Sequence, residues 1–412
     1  MKTKRIIYYL LFLPALFFFS CRNETEFNAP QFDSESYLLN STKINNHIKD
    51  KVNGIYSVEG DVFQLSSSVA VKCTEEYVTI FSGKNIDYFL LKSGIVDQNI
   101  VFEGHWRVAE SLSSGLSRFK IDYDKGGAAL LRGEDPDITI NGWYMVENQQ
   151  KQITLKKTGP LKDDSSFYII AHRAGGRNSD YLSISENSLP MIEISEAFGA
   201  NSIEIDIRLT KDKIPILYHD EELNSRLIKG EFCIGPVENF PFSHLRTFCR
   251  LLNGEEIPTL SEALDVIIKK TKLKLVWLDI KSPETIDYVI PIIDKYQKNA
   301  KSAGKKVSFV IGISSDEMRD KYLSNTDFKQ YPALCELSAD ETLTMGAGFW
   351  APRWTLGTQV SGIHQMHQEN RKVFTWTMDD RQFINKYLRE SSFDGILTNF
   401  PAIVAYEFYF KQ

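Results

Sequence analysis

The feature that most constrains the fold is an alternation of strand-like and helix-like segments that begins near residue 166 and continues to the end of the chain. Apolar runs such as FYIIA and LKLVWL alternate with helix-like runs such as TLSEALDVIIKK. This alternation is typical of a parallel sheet whose strands are joined by crossover helices. About 247 residues remain from residue 166 onward, close to the ~250 residues of an eight-stranded α/β barrel. The pattern therefore predicts an α/β fold, a (β/α)8 TIM-type barrel over residues 166–412.

Eight strand candidates support this barrel. They lie near residues 168–172, 203–208, 274–281, 306–312, 332–336, 347–349, 372–377 and 394–398. The short segment 209–213 separates the run IEIDIR from IPILYH, and a parallel crossover needs a dozen or more residues. These two runs are therefore predicted to form an antiparallel hairpin. A turn centred between Lys211 and Asp212 would place His219 opposite Glu204.

Residues 50–158 carry a different pattern. Short runs of alternating apolar and polar residues, such as EYVTIFSG, DYFLLKSG and RFKIDYDKGG, recur at spacings of about ten residues. They predict a smaller antiparallel all-β domain, either a barrel or a sandwich, before the α/β barrel. The preceding residues 22–49 begin with a polar stretch that has little to bury, so they are predicted to be a tether.

The first 21 residues have the composition of an export signal. Three basic residues among the first five precede the apolar run 6–19, which is shorter than the ~20 residues that a membrane span needs. The run ends at Ser20-Cys21, and a small residue before cysteine resembles a bacterial lipoprotein signal. Cys21 is therefore predicted to carry a lipid anchor that holds the exported protein at the bacterial cell envelope, on its periplasmic or surface side. A plain signal peptide is the alternative.

The charge of the chain narrows the kinds of partner. The formal net charge of -6 is spread along the sequence without a basic tract, so nucleic acid is not predicted as a partner. An anionic substrate would have to be held by a few placed cations or by a metal ion.

Four cysteines remain after Cys21, and an exported protein meets an oxidising compartment. They are Cys73, Cys233, Cys249 and Cys335, which allow three pairings if all are bonded. Cys233 and Cys249 are the closest pair in sequence. Free buried thiols fit the sequence equally well, and the disulfide pairing stays open.

Chemically active side chains collect at the predicted carboxyl ends of the barrel strands, where TIM-type barrels place their functional residues. In chain order they are His172, Arg173, Glu204, Asp206, Asp279, Lys281 and Trp376. Glu204 and Asp206 are two residues apart on one strand and therefore share a face. With Asp279 they would repel one another unless a cation lay among them, and a hard divalent ion with oxygen ligands is the simplest solution. Ion pairs with Arg or Lys are the alternative.

Several motifs in order along the chain resemble the glycerophosphodiester phosphodiesterase family. AHRAGG and the following SENSLPMIEISEAFGANSIEIDIRLTKDKIPILYHDEEL look like the family's succession of HRG, PENT and an acidic strand that leads to HD. IPTLSEAL, WTMD and FDGILTNFP extend the similarity over about residues 167–404. The resemblance implies one divalent cation, Ca2+ or Mg2+, and two catalytic histidines. It also implies hydrolysis of small phosphodiesters, such as deacylated phospholipids, to an alcohol and glycerol phosphate.

The resemblance assigns roles to individual residues. His172 and His219 would be the acid and base, Arg173 and Lys281 would contact phosphate, and Glu204, Asp206 and Asp279 would hold the metal. Glu186 and Asn187 would support the residues that touch metal or substrate, and Trp376 would line the alcohol pocket, although plain packing fits Trp376 equally well. These roles suit the reaction, because charge builds on the phosphate oxygens and the departing alkoxide needs a proton.

The chain departs from the family pattern at three positions. Ala174 stands where HRG has glycine, and Asn399 stands where the last motif has aspartate. Asp279 replaces a glutamate and in this resembles the sphingomyelinase D-like phosphodiesterases. A sphingomyelinase D-like lipid phosphodiesterase is therefore the alternative activity.

Two other function classes explain less of the sequence. A non-catalytic cell-surface binding protein, whose N-terminal β domain would bind a ligand, does not require both histidines and all three acidic residues. A glycoside hydrolase also uses paired carboxylates at a barrel rim. That chemistry has no need for two histidines or for Arg173 and Lys281.

Overall fold

The computed structural model describes residues 27–410 of the 412-residue chain. The predicted lipidation site, Cys21, lies outside these residues. Within residues 27–410, no helix has both the length and the apolar character that a membrane crossing requires. This part of the chain forms two barrels, one antiparallel and one parallel.

Between residues 54 and 159, eight antiparallel strands form a closed barrel in which each strand pairs with the next and the last pairs with the first. The strands are β1 (Gly54–Gly60), β2 (Ser68–Cys73), β3 (Val78–Phe81), β4 (Tyr88–Val96), β5 (Asn99–Arg107), β6 (Ser114–Ile121), β7 (Thr139–Val146) and β8 (Gln149–Gly159). Two short helices, α1 (Asn46–Val52) and α2 (Gly127–Leu131), add apolar side chains to its core. Of the two architectures that the sequence left open, the structure has the barrel, whose closure leaves no exposed strand edge.

The α/β region contributes thirteen further strands between residues 168 and 398. In chain order they are β9 (Tyr168–Ala171), β10 (Ser202–Leu209), β11 (Pro215–Leu217), β12 (Glu222–Leu223), β13 (Ile228–Lys229), β14 (Gly235–Pro236), β15 (Arg250–Leu251), β16 (Leu275–Ile280), β17 (Ser308–Ile313), β18 (Ala333–Cys335), β19 (Phe349–Trp350), β20 (Lys372–Thr375) and β21 (Gly395–Thr398). All except β11 to β15 are parallel, and β21 pairs with β9 to close the barrel. The predicted eight-stranded parallel barrel is confirmed, and each strand overlaps its predicted segment.

Helices follow most of these strands and cover the outside of the barrel. They are α3 (Leu189–Ile194), α4 (Phe242–Phe248), α5 (Leu260–Lys270), α6 (Thr285–Ser302), α7 (Asp316–Ser324), α8 (Ala339–Met345), α9 (Val360–Gln368), α10 (Arg381–Glu390) and α11 (Pro401–Phe410). α5 shows why such segments become helices. Thr259 and Glu262 form a capping box at its start, and its buried residues recur at three- and four-residue spacing along one face.

Strand β10 explains the alternation of isoleucine and carboxylate in IEIDI. Ile203, Ile205 and Ile207 are fully buried in the core shared with the helices. Glu204 and Asp206 are also buried, but they lie on the opposite face of the strand, inside the barrel. The alternation therefore separates the helix-facing side of the strand from the barrel interior, and neither side faces solvent.

The β10–β11 hairpin is antiparallel as predicted, but its register differs by one residue. Ile207 pairs with Leu217 and Leu209 pairs with Pro215, so His219 is not opposite Glu204. The cause is a three-residue loop in which Lys213 adopts a left-handed conformation at φ 61°. A two-residue turn had been expected, and the additional loop residue shifts every cross-strand pair.

Residues 27–45 differ from the predicted tether because they pack onto the antiparallel barrel. Phe27 and Ile44 are buried, and Thr42 forms an isolated bridge to Ile95 of β4. The Phe27 ring lies 4.0 Å from the guanidinium of Arg107. A few isolated apolar anchors in a polar segment are therefore sufficient to order it on an existing surface.

Besides its own core, the antiparallel barrel contributes residues to the hydrophobic core of the parallel barrel. Phe81 and Tyr88 of the antiparallel barrel belong to the same buried cluster as the helices of the parallel barrel. The apolar helix α11 lies at this junction and contacts β2 and β3. Polar links add to the contact, since Lys72 Nζ donates to Asp164 Oδ2 at 2.9 Å and to Tyr409 Oη at 2.8 Å. The antiparallel barrel thus packs directly against the parallel one.

Arg107 provides a test of this junction. Its guanidinium is buried and donates to the carbonyl oxygens of Asp180 and Tyr181 at 2.9 and 2.7 Å. We expect Arg107→Ala to lower the free energy of unfolding by about 2 kcal/mol, because two buried carbonyls lose their donor. Urea unfolding checks this, with Arg132→Ala as control, since Arg132 pairs with Glu134 at the surface and its loss should barely move the midpoint. Equal midpoints for the two variants would contradict the structural role of Arg107.

A small excursion, residues 222–257, stands between β11 and α5. It contains α4 and two short ladders, β12 with β14 and β13 with β15, around its own apolar cluster. A disulfide joins Cys233 to Cys249, while Cys73 and Cys335 are free thiols. The pairing is thus the one with the shortest sequence separation.

Candidate active site

Three carboxylates meet at the carboxyl end of the parallel barrel. Asp206 of β10 and Asp279 of β16 are register partners in adjacent strands, and Glu204 lies two residues before Asp206. One oxygen from each of the three lies within 4.8 Å of the others. The structure therefore brings together the acidic residues that the sequence assigned to a metal.

The electrostatics of this acidic cluster favour a cation. Glu204 Oε1 is buried and accepts no hydrogen bond from the described residues. Burial, together with the negative charges of Asp206 and Asp279, raises the pKa of Glu204 well above its ordinary value. An unsatisfied oxygen and mutual repulsion are what a hard divalent ion would relieve, so the three residues fit such an ion.

Lys281 supplies positive charge at the edge of the cluster. Its Nζ lies 2.6 Å from Asp206 Oδ1 and also contacts Asp279 Oδ2. Burial opposes the ionisation of Asp206, but the positive charges of Lys281 and Arg173 hold the pKa of Asp206 below its ordinary value. The site therefore contains an ionised Asp206 beside a Glu204 that resists ionisation.

His172, directly after β9, is fixed from behind by a chain of hydrogen bonds. Asn399 Nδ2 donates to Asp379 Oδ2 at 2.6 Å, which turns Asn399 Oδ1 toward His172 Nδ1 at 2.7 Å. An amide oxygen only accepts, so Nδ1 carries the proton and Nε2 keeps its lone pair. Nε2 lies 3.8 Å from Glu204 Oε2. Burial, with the charge of Arg173, lowers the pKa of His172 to about 3, so the imidazole is neutral at physiological pH.

His219, just beyond β11, has a different partner. Its Nδ1 lies 2.7 Å from Asp220 Oδ1, and a carboxylate only accepts, so Nδ1 is again the protonated nitrogen. Asp220 also accepts from Asn224 at 2.8 Å and from Arg226 Nε at 3.0 Å. Burial alone would raise the pKa of Asp220, but these hydrogen bonds have the larger effect. The pKa therefore lies below its ordinary value, and the carboxylate stays ionised. His219 interacts electrostatically with both His172 and Asp206, so it lies near the cluster.

Arg173 is buried behind the cluster rather than extended into open space. Its Nη1 donates to Glu186 Oε1 at 2.6 Å, and its Nε, which has no hydrogen-bond partner, lies 3.9 Å from Asp206 Oδ2. Its backbone N–H donates to Glu204 Oε2 at 2.8 Å. The structure thus places Arg173 against the acidic residues, with one N–H group still available.

Glu186 and Asn187 lie where supporting residues were expected. Glu186 Oε2 accepts from the backbone of Asn178 at 2.8 Å, so both of its oxygens have partners. Asn187 Nδ2 donates to Asp206 Oδ2 at 2.6 Å, and its Oδ1 accepts from the Asp206 backbone at 3.1 Å. These contacts fix the orientation of Arg173 and Asp206.

The backbone after β9 is strained in a way that the sequence anticipated only in part. Arg173 and Ala174 both adopt left-handed conformations, with φ 51° and 71°. Ala174 therefore takes the conformation that glycine adopts at low cost, instead of leaving it to the glycines that follow. Strain of this kind is found where a site fixes its side chains.

A cavity of about 490 Å3 opens beside the cluster. It is lined by Asp279, Lys281 and Trp376 among the predicted residues. Trp376 donates its indole N–H to the carbonyl of Ala351 at 2.7 Å, and Arg353 lies 5.0 Å from its ring. Trp376 thus forms part of the cavity wall, and the guanidinium of Arg353 lies over its ring.

Two residues of this cavity were not singled out from the sequence. Glu336 follows β18, and Arg353 follows β19. Burial and the charge of Asp279 raise the pKa of Glu336 to about 8. Both stand after barrel strands, so the rule that found Asp279 would have found them had every strand end been examined. The supporting residues Asp379 and Arg226 had no comparable signal, whereas Asn399 directly follows β21 and had been noted only as a departure from the family pattern.

A second cavity, of about 390 Å3, lies away from the acidic cluster. It is bounded by the segment after Phe27, by β4 and β5, and by Leu182 of the parallel barrel. It is the place where a ligand of the N-terminal domain would fit, and such a ligand stays a prediction.

The sequence matches known proteins of one kind. The Glycerophosphoryl diester phosphodiesterase family profile matches residues 172–309. A glycerophosphodiester phosphodiesterase of Caldanaerobacter subterraneus is 25% identical over 252 residues, which cover 57% of this chain and 94% of the relative. Human glycerophosphodiester phosphodiesterase 1 is 33% identical over 108 residues, or 25% of this chain and 31% of that protein. A solved Oleispira antarctica phosphodiesterase, in complex with the product sn-glycerol-3-phosphate, is 19% identical with a TM-score of 0.47, covering 57% of this chain and 94% of that chain.

The family profile and the sequence relatives, together with an acidic site at the mouth of a parallel barrel, indicate a phosphoric diester hydrolase. The match over residues 172–309 and these sequence relatives confirm the resemblance to the glycerophosphodiester phosphodiesterase family that the motifs indicate. The antiparallel barrel lies outside the matched residues.

Proposed function

We propose that this protein hydrolyses glycerophosphodiesters with one divalent cation, Ca2+ or Mg2+, and with His172 and His219 as base and acid. The observation that carries the proposal is the approach of Glu204, Asp206 and Asp279 to within 4.8 Å, with one buried oxygen left unsatisfied. Two histidines with different partners flank this cluster. An ion-pair network alone would leave Glu204 Oε1 without a partner among the described residues.

The three carboxylates would hold the cation, which would neutralise charge on the non-bridging oxygens of the phosphodiester. Lys281 adds a fixed positive charge beside the same position, and Arg353 adds one further along the cavity. The alcohol portion of the substrate would lie against Trp376. These groups would place the phosphate between the cluster and the cavity wall.

The hydrogen bonds suggest which histidine is the base. His172 is neutral, with Nε2 carrying a lone pair, so it can take a proton from the attacking hydroxyl. His219 donates to an ionised Asp220, which stabilises the protonated imidazole and suits it to protonate the departing alkoxide. After the reaction His172 holds one additional proton and His219 lacks one. Release of the first proton to water and uptake of another from water return both histidines to their starting states.

The location of the enzyme is also a proposal. We propose export and a lipid on Cys21, supported by the basic start, the apolar run 6–19 and the Ser20-Cys21 pair. Metabolic labelling with a radioactive fatty acid, compared between the parent and Cys21→Ser, tests it. Equal labelling would remove the lipid anchor.

A panel of phosphodiesters followed by phosphorus NMR tests the reaction. We expect glycerophosphocholine, glycerophosphoethanolamine and glycerophosphoinositol to give glycerol phosphate and free alcohol. Conversion only of lysophospholipids, with a cyclic phosphate product, would favour the sphingomyelinase D-like alternative. Absence of turnover throughout, with the protein folded by circular dichroism, would favour a binding protein.

A further inference from the structure

The excursion 222–257 ends in a group of exposed apolar side chains, which we call the apolar tip: Phe232, Ile234 and Phe248. Their exposed fractions are 70%, 81% and 50%, and Ile234 is the most exposed large apolar residue within 27–410. The Phe232 and Phe248 rings are 6.3 Å apart, so these two are neighbours. Single exposed apolar residues need no explanation, but a group of them usually marks a contact surface.

The backbone holds the apolar tip in place. Phe232 adopts a left-handed conformation at φ 64°, which is unfavourable for a bulky residue. The Cys233–Cys249 disulfide directly follows Phe232 and Phe248 and joins the two segments that carry them. Phe232 is thus an aromatic residue in an unfavourable backbone conformation, fixed by a neighbouring disulfide, with its ring exposed to solvent. The stability of the fold does not require this arrangement, which points to a functional role.

The apolar tip lies on the same side of the molecule as the active site. A surface cavity of about 420 Å3 is lined by both Arg226 and Lys229. Arg226 pairs with Asp220, the partner of His219, and lies 3.5 Å from Glu186. Lys229 ends β13, and the tip segment begins at the next residue. The cavity therefore connects the catalytic groups to the base of the tip.

The chain enters the described structure at this same place. Phe27 and Asn28 line the cavity together with Arg226 and Lys229. Five residues lie between Cys21 and Phe27, and the six Cα–Cα steps of an extended chain between them reach about 20 Å. The apolar run 6–19 precedes this link. Any membrane attachment of the N-terminal segment would hold the mouth of the barrel, and the apolar tip beside it, close to the bilayer.

We infer that the apolar tip inserts into a lipid surface and turns the mouth of the barrel toward the membrane. Apolar contact, and not charge, is the attraction, because the segment 230–235 has Glu231 as its single ionisable residue. Insertion should therefore occur into vesicles of neutral phosphatidylcholine. The bilayer then presents amphiphilic phosphodiesters directly to the cavity, in addition to soluble ones.

Tryptophan quenching by lipid tests this orientation without requiring catalysis. Ile234→Trp in the full chain is mixed with phosphatidylcholine vesicles that contain brominated acyl chains, which quench tryptophan on contact. Phe63→Trp is the matched control, because Phe63 is 73% exposed but belongs to the antiparallel barrel. The parent protein gives the background of its six tryptophans. We expect extra quenching over the parent for Ile234→Trp and none for Phe63→Trp.

Each other outcome overturns the inference. Co-sedimentation with vesicles without extra quenching of Ile234→Trp would show that the tip stays in water. Equal extra quenching of both variants would indicate unspecific adsorption. A parent dimer that dissociates on Phe232→Ser in sedimentation velocity would show that the tip binds a second copy of the chain. Loss of phosphodiester hydrolysis alone would count against the proposed function and not against this orientation.

Discussion

Replacement of Asp206 by asparagine is expected to remove divalent-cation binding and to lower kcat for glycerophosphodiesters by at least about 10³-fold. Asp206 is the central member of the acidic cluster. It is the register partner of Asp279 and lies two residues from Glu204 on the same face. Asparagine keeps the shape and can still meet Asn187, so loss of binding would reflect the lost charge rather than misfolding.

Binding of the divalent cation can be measured without following hydrolysis. A cation at about 100 times its Kd adds roughly 2.7 kcal/mol to the free energy of unfolding of a protein that binds it only when folded. We expect Ca2+ or Mg2+ to raise the melting temperature of the parent and to leave that of Asp206→Asn unchanged. Glu134→Gln is the control, since Glu134 is an exposed carboxylate of the antiparallel barrel. It should behave like the parent.

Chelation completes this prediction. Treatment of the parent with a chelator should abolish hydrolysis, and titration with Ca2+ and with Mg2+ should show which ion restores it. Full activity after chelation, or an unchanged melting temperature in both ions, would show that Lys281 and the arginines neutralise the carboxylates. The acidic cluster would then be a structural network, and the metal would have to be abandoned.

The fold was largely predictable because its signals are local. Each barrel strand is an apolar run bounded by a crossover, so even the two-residue strand β19 overlaps its predicted segment, at Phe349. The hairpin register was not predictable, since it depended on whether Lys213 would take a left-handed conformation. Barrel and sandwich also differ only in whether β8 returns to β1, a long-range pairing that the alternation of side chains does not encode.

The residues of the site also fall into those that the sequence could predict and those that it could not. Glu204, Asp206 and Asp279 were predictable because strand ends converge at one rim. Asn399 was not: it acts by orienting His172 from the last strand of the barrel, more than two hundred residues away in sequence. The family pattern has aspartate there, and the structure shows that asparagine can still accept from His172 when Asp379 fixes its amide.

His172→Ala and His219→Ala are each expected to lower kcat by at least about 10²-fold, the low end for one general acid or base. The two should differ with the leaving group. A nitrophenyl phosphodiester expels a weakly basic phenolate, which needs little protonation. His219→Ala should therefore recover most of its rate on that substrate, whereas His172→Ala should stay slow because the attacking hydroxyl still needs a base.

Asn399→Ala tests whether the orientation of His172, and not only its presence, is needed for the reaction. It leaves both histidines in place but removes the acceptor that holds His172 Nδ1. We expect kcat to fall by at least about tenfold with little change in KM, because the base is present but misoriented. Asn385→Ala is the matched control, since Asn385 donates to Glu407 outside the site. Normal rates for Asn399→Ala would show that His172 does not depend on Asn399 for its orientation. Recovery of His172→Ala rather than His219→Ala on the nitrophenyl substrate would reverse the assignment of base and acid.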